Sequence, residues 1–213
     1  GGFGKRLCDR LEETFLRVAR SPPGEVDPLD VQCRCIDAPF AETSRREEGR
    51  QWWRYDEGGA GDRPEDWTEM EQAALHIAKE LEKPEQPYDG VLGFSQGAEM
   101  VHAIALLSQR GDPRFVGPRA PRFAVSLSGA VNPGHFEVAE GVAKEAGRLR
   151  MPMLFVGDFV RDHWYSARRF ESTLAMYADA VRVEHAQKHT VPDLPEGSAA
   201  ATTVRRFFQR FAP

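Results

Sequence analysis

Residues Tyr88–Leu107 read YDGVLGFSQGAEMVHAIALL, and this stretch decides the fold. Val91 and Leu92 are apolar and run into Gly93-Phe94-Ser95-Gln96-Gly97. A helical pattern follows at once, which predicts a strand over Tyr88–Phe94 and a helix over Gln96–Arg110. A serine between two glycines at such a junction has a physical use. A sharp strand-to-helix turn lifts its hydroxyl above the sheet edge, where the glycines relieve crowding between strand and helix. The helix N-terminus then aims free N–H groups and partial positive charge at the reacting atom, with the N–H of Gln96 as one oxyanion donor. The five-residue pattern alone is weak. The strand before it and the helix after it are what give it weight.

Working outward, Lys5–Ala19 reads as a helix, with Leu7, Leu11, Phe15 and Val18 at helical spacing. Val31–Ile36 alternates like a strand. Residues Phe40–Pro64 read as a long loop carrying Trp52, Trp53 and Tyr55. Pro64–Lys83 is an amphipathic helix on the stripe Trp67, Met70, Ala74, Ile77 and Leu81. Strands follow at Phe123–Leu127, Met151–Val156 and Val181–Glu184, with helical patterns at Pro133–Arg150, Trp164–Ala178 and Ala199–Phe211. Short apolar strands alternating with helices indicate α/β architecture, a mostly parallel central sheet with helices on both faces. A chain of 213 residues suits one such domain over 1–213.

Apolar residues make up 41% and charged residues 29% of the chain, and the net charge is -5. There is no sustained basic stripe, so nucleic-acid binding is not expected. No apolar run approaches the ~20 residues of a membrane span, and no signal-peptide pattern opens the sequence. The three cysteines are Cys8, Cys33 and Cys35. Cys33 and Cys35 would point to one face of a strand, a poor disulfide geometry and too few ligands for zinc. The expectation is reduced, structural thiols in a cytoplasmic protein, with no metal and no cofactor.

A serine nucleophile in this setting needs an acid and then a histidine, in that order along the chain. The strand MLFVGD offers Asp158 at its end and Asp162 four residues on. VRVEHAQKHTVP offers His185 and His189. A histidine in the loop can reach the serine without breaking a strand ladder, so spacing favours His189 and leaves the acid open.

At these residues the chain resembles the FSH-type serine hydrolases, a eukaryotic branch of the α/β-hydrolase superfamily whose fungal members include polyketide-releasing thioesterases. The resemblance rests on IDAPF (Ile36–Phe40), the Trp52-Trp53 pair, PYDGVLGFSQGAEM (Pro87–Met100), FAVSLSG (Phe123–Gly129) and EHAQKHTVP (Glu184–Pro192). It implies an α/β-hydrolase fold with Ser95 as nucleophile and His189 as base. The family's acid fits Asp162 best, with Asp158 as the alternative. One departure stands out. Family members begin with a strand of the type I-L-C-L-H-G and a glycine-rich loop that supplies a second oxyanion N–H. Here Gly1-Gly2-Phe3-Gly4 passes straight into a helix, so the N-terminal strand is missing from this sequence, and Gly2 and Phe3 are the only nearby candidates for that donor. Either residues precede Gly1 in the intact protein or the sheet has lost a strand; the first is the expectation.

The resemblance implies an acyl thioester or ester as substrate, a polyketide or similar acyl chain on an acyl-carrier domain being the favoured case. Trp52, Trp53, Tyr55, Phe136 and Trp164 are candidates to line an acyl pocket, and 133–150 is a candidate lid. Two alternatives stay open: a general carboxylesterase on small acyl esters, and a degenerate hydrolase fold used as a binding module.

Overall fold

The computed structural model describes residues 2–20, 29–42, 49–54, 66–83, 88–131, 141, 145 and 147–212, with the side chains of 2–5, 42, 66, 67 and 119 outside the description. The proposed lid over 133–150 and the candidates Phe136 and Tyr55 therefore lie largely or wholly outside the described residues.

Four strands form a parallel sheet in the order β3 (Gly90–Phe94), β4 (Phe123–Leu127), β5 (Met153–Gly157) and β6 (Ala180–Glu184). β4 and β5 are buried along their whole length, as strands covered on both faces must be. Their side chains alternate between two cores. Ala124, Met153 and Phe155 face one core, which α2 (Asp66–Leu81) and α3 (Gln96–Gln109) cover. Phe123, Val125, Leu127, Leu154 and Val156 face the other. That face is covered by α5 (Ala199–Gln209) and by the N-terminal helix, which runs from α1 (Gly2–Arg10) through a π-helical stretch to Ala19. Ser166 opens α4 (Ala167–Ala175) and Ser198 opens α5, each hydroxyl accepting a first-turn N–H. Parallel strands joined by covering helices put all carboxyl ends on one side, where loops can converge.

Three features differ from the sequence expectation. Residues 31–36 form no strand: among the described residues nothing pairs with them, and β3 is the edge of the sheet. An apolar cavity of about 620 Å³ is lined by both this segment and the edge strand, through Val31, Cys33, Val91 and Leu92. Alternation supplied the strand pattern, but a ladder also needs a neighbour. Next, within the predicted loop, Phe40–Glu42 (β1) pairs antiparallel with Gly49–Gln51 (β2). Finally, the cysteines are not all reduced thiols. Cys8 is disulfide-bonded to Cys35 across 27 residues, with Cα atoms 6.1 Å apart, and Cys33 is free. Only the pair Cys33 and Cys35 could be judged from spacing; α1 brings in a third cysteine from elsewhere.

His102 is buried behind the sheet. Its Nδ1 lies 2.7 Å from the Tyr177 hydroxyl and its Nε2 3.1 Å from Ser126 Oγ, and Ser126 donates onward to the Gly129 carbonyl. Burial pushes its pKa down to about 3, so it is a neutral core histidine.

Candidate active site

Ser95 links β3 to α3 in the left-handed region, with φ 55° and ψ -121°. A non-glycine residue held there is strained, and the surroundings hold it. Its N–H donates to the Leu127 carbonyl at 3.0 Å, and its carbonyl accepts from Ala98 and Glu99 at 2.8 and 3.1 Å. Close approach explains both nearby glycines. A Cβ at Gly93 would collide with the Gly97 carbonyl, and one at Gly129 with Ala98. A serine opening a helix normally turns its hydroxyl onto a first-turn N–H. Here no such cap forms, and Ser95 Oγ instead lies 2.9 Å from His189 Nε2.

His189 stands in the loop after β6, and its Nδ1 lies 2.9 Å from Asp162 Oδ2. This places one ring nitrogen on each neighbour. With this arrangement Nδ1–H can donate to the carboxylate while Nε2 faces the Ser95 hydroxyl. Asp162 Oδ1 accepts from the N–H groups of Trp164 and Tyr165, at 2.8 and 3.2 Å. Burial alone would raise the Asp162 pKa. The His189 bond, the two N–H donors and the imidazole outweigh it and hold the carboxyl below the usual carboxylate range.

Asp158 has a different set of partners. It is 2% exposed and accepts from the Arg161 N–H and side chain, each at 3.0 Å, and from the Lys188 N–H at 2.9 Å. These donors and the Arg161 charge overcome burial and lower its pKa as well. Lys188, with φ 61°, immediately precedes His189, so Asp158 pins the turn that delivers the imidazole. Ser128 also holds that loop, donating to the Thr190 carbonyl at 3.2 Å. His185 follows β6 and hydrogen-bonds to neither Ser95 nor Asp162; its Nδ1 accepts from the Gln187 N–H.

The aromatic candidates divide. Trp164 is 63% exposed, with its ring centroid 6.0 Å from that of His189. Trp52 is half-buried against the core and borders Gly97. Trp53 is fully buried in the core and packs behind the site rather than lining it. The Gln96 side chain fastens this pair, accepting from Trp52 N–H and donating to the Trp53 carbonyl, both at 2.8 Å. Phe3 stands in the first turn of α1, with its side chain outside the described residues. Sequence reasoning missed Tyr165, whose ring stacks 5.8 Å from His189 at 29°, and Phe94, whose ring is 5.2 Å from it. Tyr165 follows Trp164 by one residue, but only the folded loop shows which ring meets the imidazole. Among the described residues, no group of three or more His, Cys, Asp or Glu is placed to hold a metal. No described helix is long and apolar enough to cross a membrane.

A family model described as serine hydrolase (FSH1) matches residues 5–200. The chain belongs to the FSH1 serine hydrolase family. It is 30% identical over 209 residues to esterase OVCA2 of Bos taurus, covering 92% of this chain and 85% of that protein. With the Homo sapiens esterase OVCA2 it shares 29% over 216 residues, covering 99% and 86%. Among solved structures, Zea mays acyl-protein thioesterase 2 aligns with a TM-score of 0.54 at 21% identity, over 83% of this chain and 79% of that one. That likeness is one of fold, and it agrees with the α/β-hydrolase architecture described above. This FSH1 family member is a hydrolase, and its central sheet carries the Ser95 turn at the carboxyl end of β3.

Proposed function

We propose that this FSH1 family hydrolase cleaves an acyl thioester or ester through a covalent acyl-serine, using Ser95, His189 and Asp162. The observation that carries the reading is the hydrogen-bonded row Asp162–His189–Ser95, with both contacts at 2.9 Å. In the first half-reaction His189 Nε2 takes the Ser95 proton as Oγ attacks the acyl carbonyl. Asp162 holds the Nδ1–H tautomer and stabilises the imidazolium. The N–H groups of Gln96 and Phe3 serve the tetrahedral oxyanion, each worth roughly 2.7–4 kcal/mol of barrier. The intermediate collapses, the C–S or C–O bond breaks, and His189 returns its proton to the leaving group. Water then gives a proton to His189 and attacks the acyl-enzyme, releasing a carboxylic acid and restoring Ser95.

A thiolate leaves more easily than an alkoxide, so thioester cleavage asks less of the proton on His189. The favoured substrate is an acyl thioester, a polyketide or similar chain presented by an acyl-carrier domain, with Trp52 and Trp164 bordering its path. The second reading is a carboxylesterase on small acyl esters, which the name of the mammalian relatives favours. The proposal includes a cytoplasmic place of action; the Cys8–Cys35 bond makes the thiol redox state in cells its direct check. Matched thioesters and oxygen esters of increasing acyl length separate the two readings. A kcat/KM that favours thioesters and rises with acyl length supports the first. A preference for short oxygen esters overturns it in favour of the second.

A further inference from the structure

Glu99 lies four residues after Ser95 on α3 and is only 5% exposed. Its Oε1 accepts from the Tyr165 hydroxyl at 2.9 Å and from Arg169 Nη2 at 3.0 Å. Arg169 also donates from Nε to the Val131 carbonyl at 2.9 Å, and its guanidinium lies 4.7 Å from the Tyr165 ring centroid. Tyr165 is the junction. Its N–H donates to Asp162, its ring stacks on His189, and its hydroxyl reaches the helix that carries Ser95. Segments that follow β3, β4 and β5 are thus linked through the buried charge of Glu99 and through Arg169.

Stability gives a weak reason for that charge. A buried ion pair costs desolvation that its attraction seldom exceeds, and apolar residues of similar volume often serve as well. Positional control gives a stronger one. The imidazole must sit between two partners at hydrogen-bond distance, and small displacements of reacting groups cost large factors in rate. Tyr165 touches Asp162 and His189, and Glu99 with Arg169 fixes where Tyr165 can stand.

We infer that Glu99, Tyr165 and Arg169 are positioning residues that hold His189 and Asp162 in register with Ser95. The inference rests on the reading of those three as the reacting row. The test uses Tyr165→Phe, which deletes only the hydroxyl and keeps the ring, with Glu99→Leu and Glu99→Gln beside it. Hydrolysis of p-nitrophenyl acetate, inactivation by a fluorophosphonate and thermal melting are measured for each. Tyr165→Phe is expected to lower kcat about tenfold while KM stays within about twofold, and to slow inactivation by the same factor. Glu99→Leu should lose at least as much and Glu99→Gln, which keeps an acceptor for both donors, should recover most of it. A Tyr165→Phe enzyme with wild-type kcat and inactivation rate, whatever its melting temperature, overturns the inference. That variant decides the matter alone if Glu99→Leu does not fold. Wild-type protein left unlabelled at Ser95 would instead remove the reading of the site, and the inference with it.

Discussion

Two acid–histidine pairs stand at the carboxyl ends of the same two strands, Asp158 with His185 and Asp162 with His189. Their chemistry is identical and their positions differ by four residues in each case. Asp158 spends its oxygens on the backbone and side chain of Arg161 and on the Lys188 N–H. His185 turns one nitrogen to a neighbouring N–H in its own loop. Asp162 keeps one oxygen for His189, which keeps one nitrogen for Ser95. Asp158 ties its own loop to the turn before His189 while His185 bonds back into its own loop, and the second pair, four residues further out, forms the row that ends on Ser95. On the proposed reading, reach more than residue type separates scaffold from reacting group, and Asp158 holds the loop that carries His189.

The sharpest way to break this contrast is at the histidines. His189→Ala should lower kcat on the order of 10⁴-fold, whereas His185→Ala should stay within about threefold. Comparable losses from both, in steady-state hydrolysis of p-nitrophenyl acetate, would undo the distinction. The acids come next. Asp162→Ala should slow acylation on the order of 10³-fold and also destabilise by about 2–3 kcal/mol, because its buried carboxylate accepts two backbone N–H groups. Asp158→Ala should do much less to acylation at a similar cost in stability, about 2–3 kcal/mol, because it too leaves backbone N–H donors without a partner. Single-turnover kinetics and urea unfolding of the two variants read these effects separately; the reverse ranking in acylation would reassign the acid.

Solution pH sharpens the comparison through a third histidine. The folded pKa of His102 is depressed from 6.5 to about 3, so the unfolded chain takes up a proton there while the native one does not. Its contribution to stability is fully present above pH 6.5 and is lost as pH falls toward 3, at about 1.4 kcal/mol per unit. His102→Asn should flatten that slope in unfolding curves between pH 4 and 6 (about two units of the titration), and an unchanged slope would contradict the burial account. The smallest effect is expected at Lys188, whose φ of 61° a glycine adopts freely. Lys188→Gly should shift stability by less than about 1 kcal/mol, while the β-branched Lys188→Val should destabilise by about 1–2 kcal/mol. Equal melting temperatures would show that the turn before His189 is not held where Asp158 places it.

The turn at Ser95 was legible because its signal is local: strand, two glycines and helix lie within ten or so residues. The loop position of His189 followed from the same kind of local reading. The choice between Asp158 and Asp162 was not, since it depends on which N–H groups the loop folds back upon. Glu99 and Tyr165 carried no signal, because an acid on a helix and a tyrosine in a loop are ordinary until they meet across 66 residues. The expected strand at 31–36 failed for a related reason. Alternation describes which way side chains point, whereas a strand exists through its neighbour. Trp53 and Trp52 are adjacent and alike in sequence, yet one fills the core and the other borders the serine turn.

The central claim is that Ser95 is an activated nucleophile. Intact-mass spectrometry after treatment with a fluorophosphonate, on wild type and on Ser95→Ala, tests it most directly. The account expects a single adduct on the wild-type chain and none on the variant. Folded wild-type protein that takes up no adduct, or an adduct that survives Ser95→Ala, would contradict it.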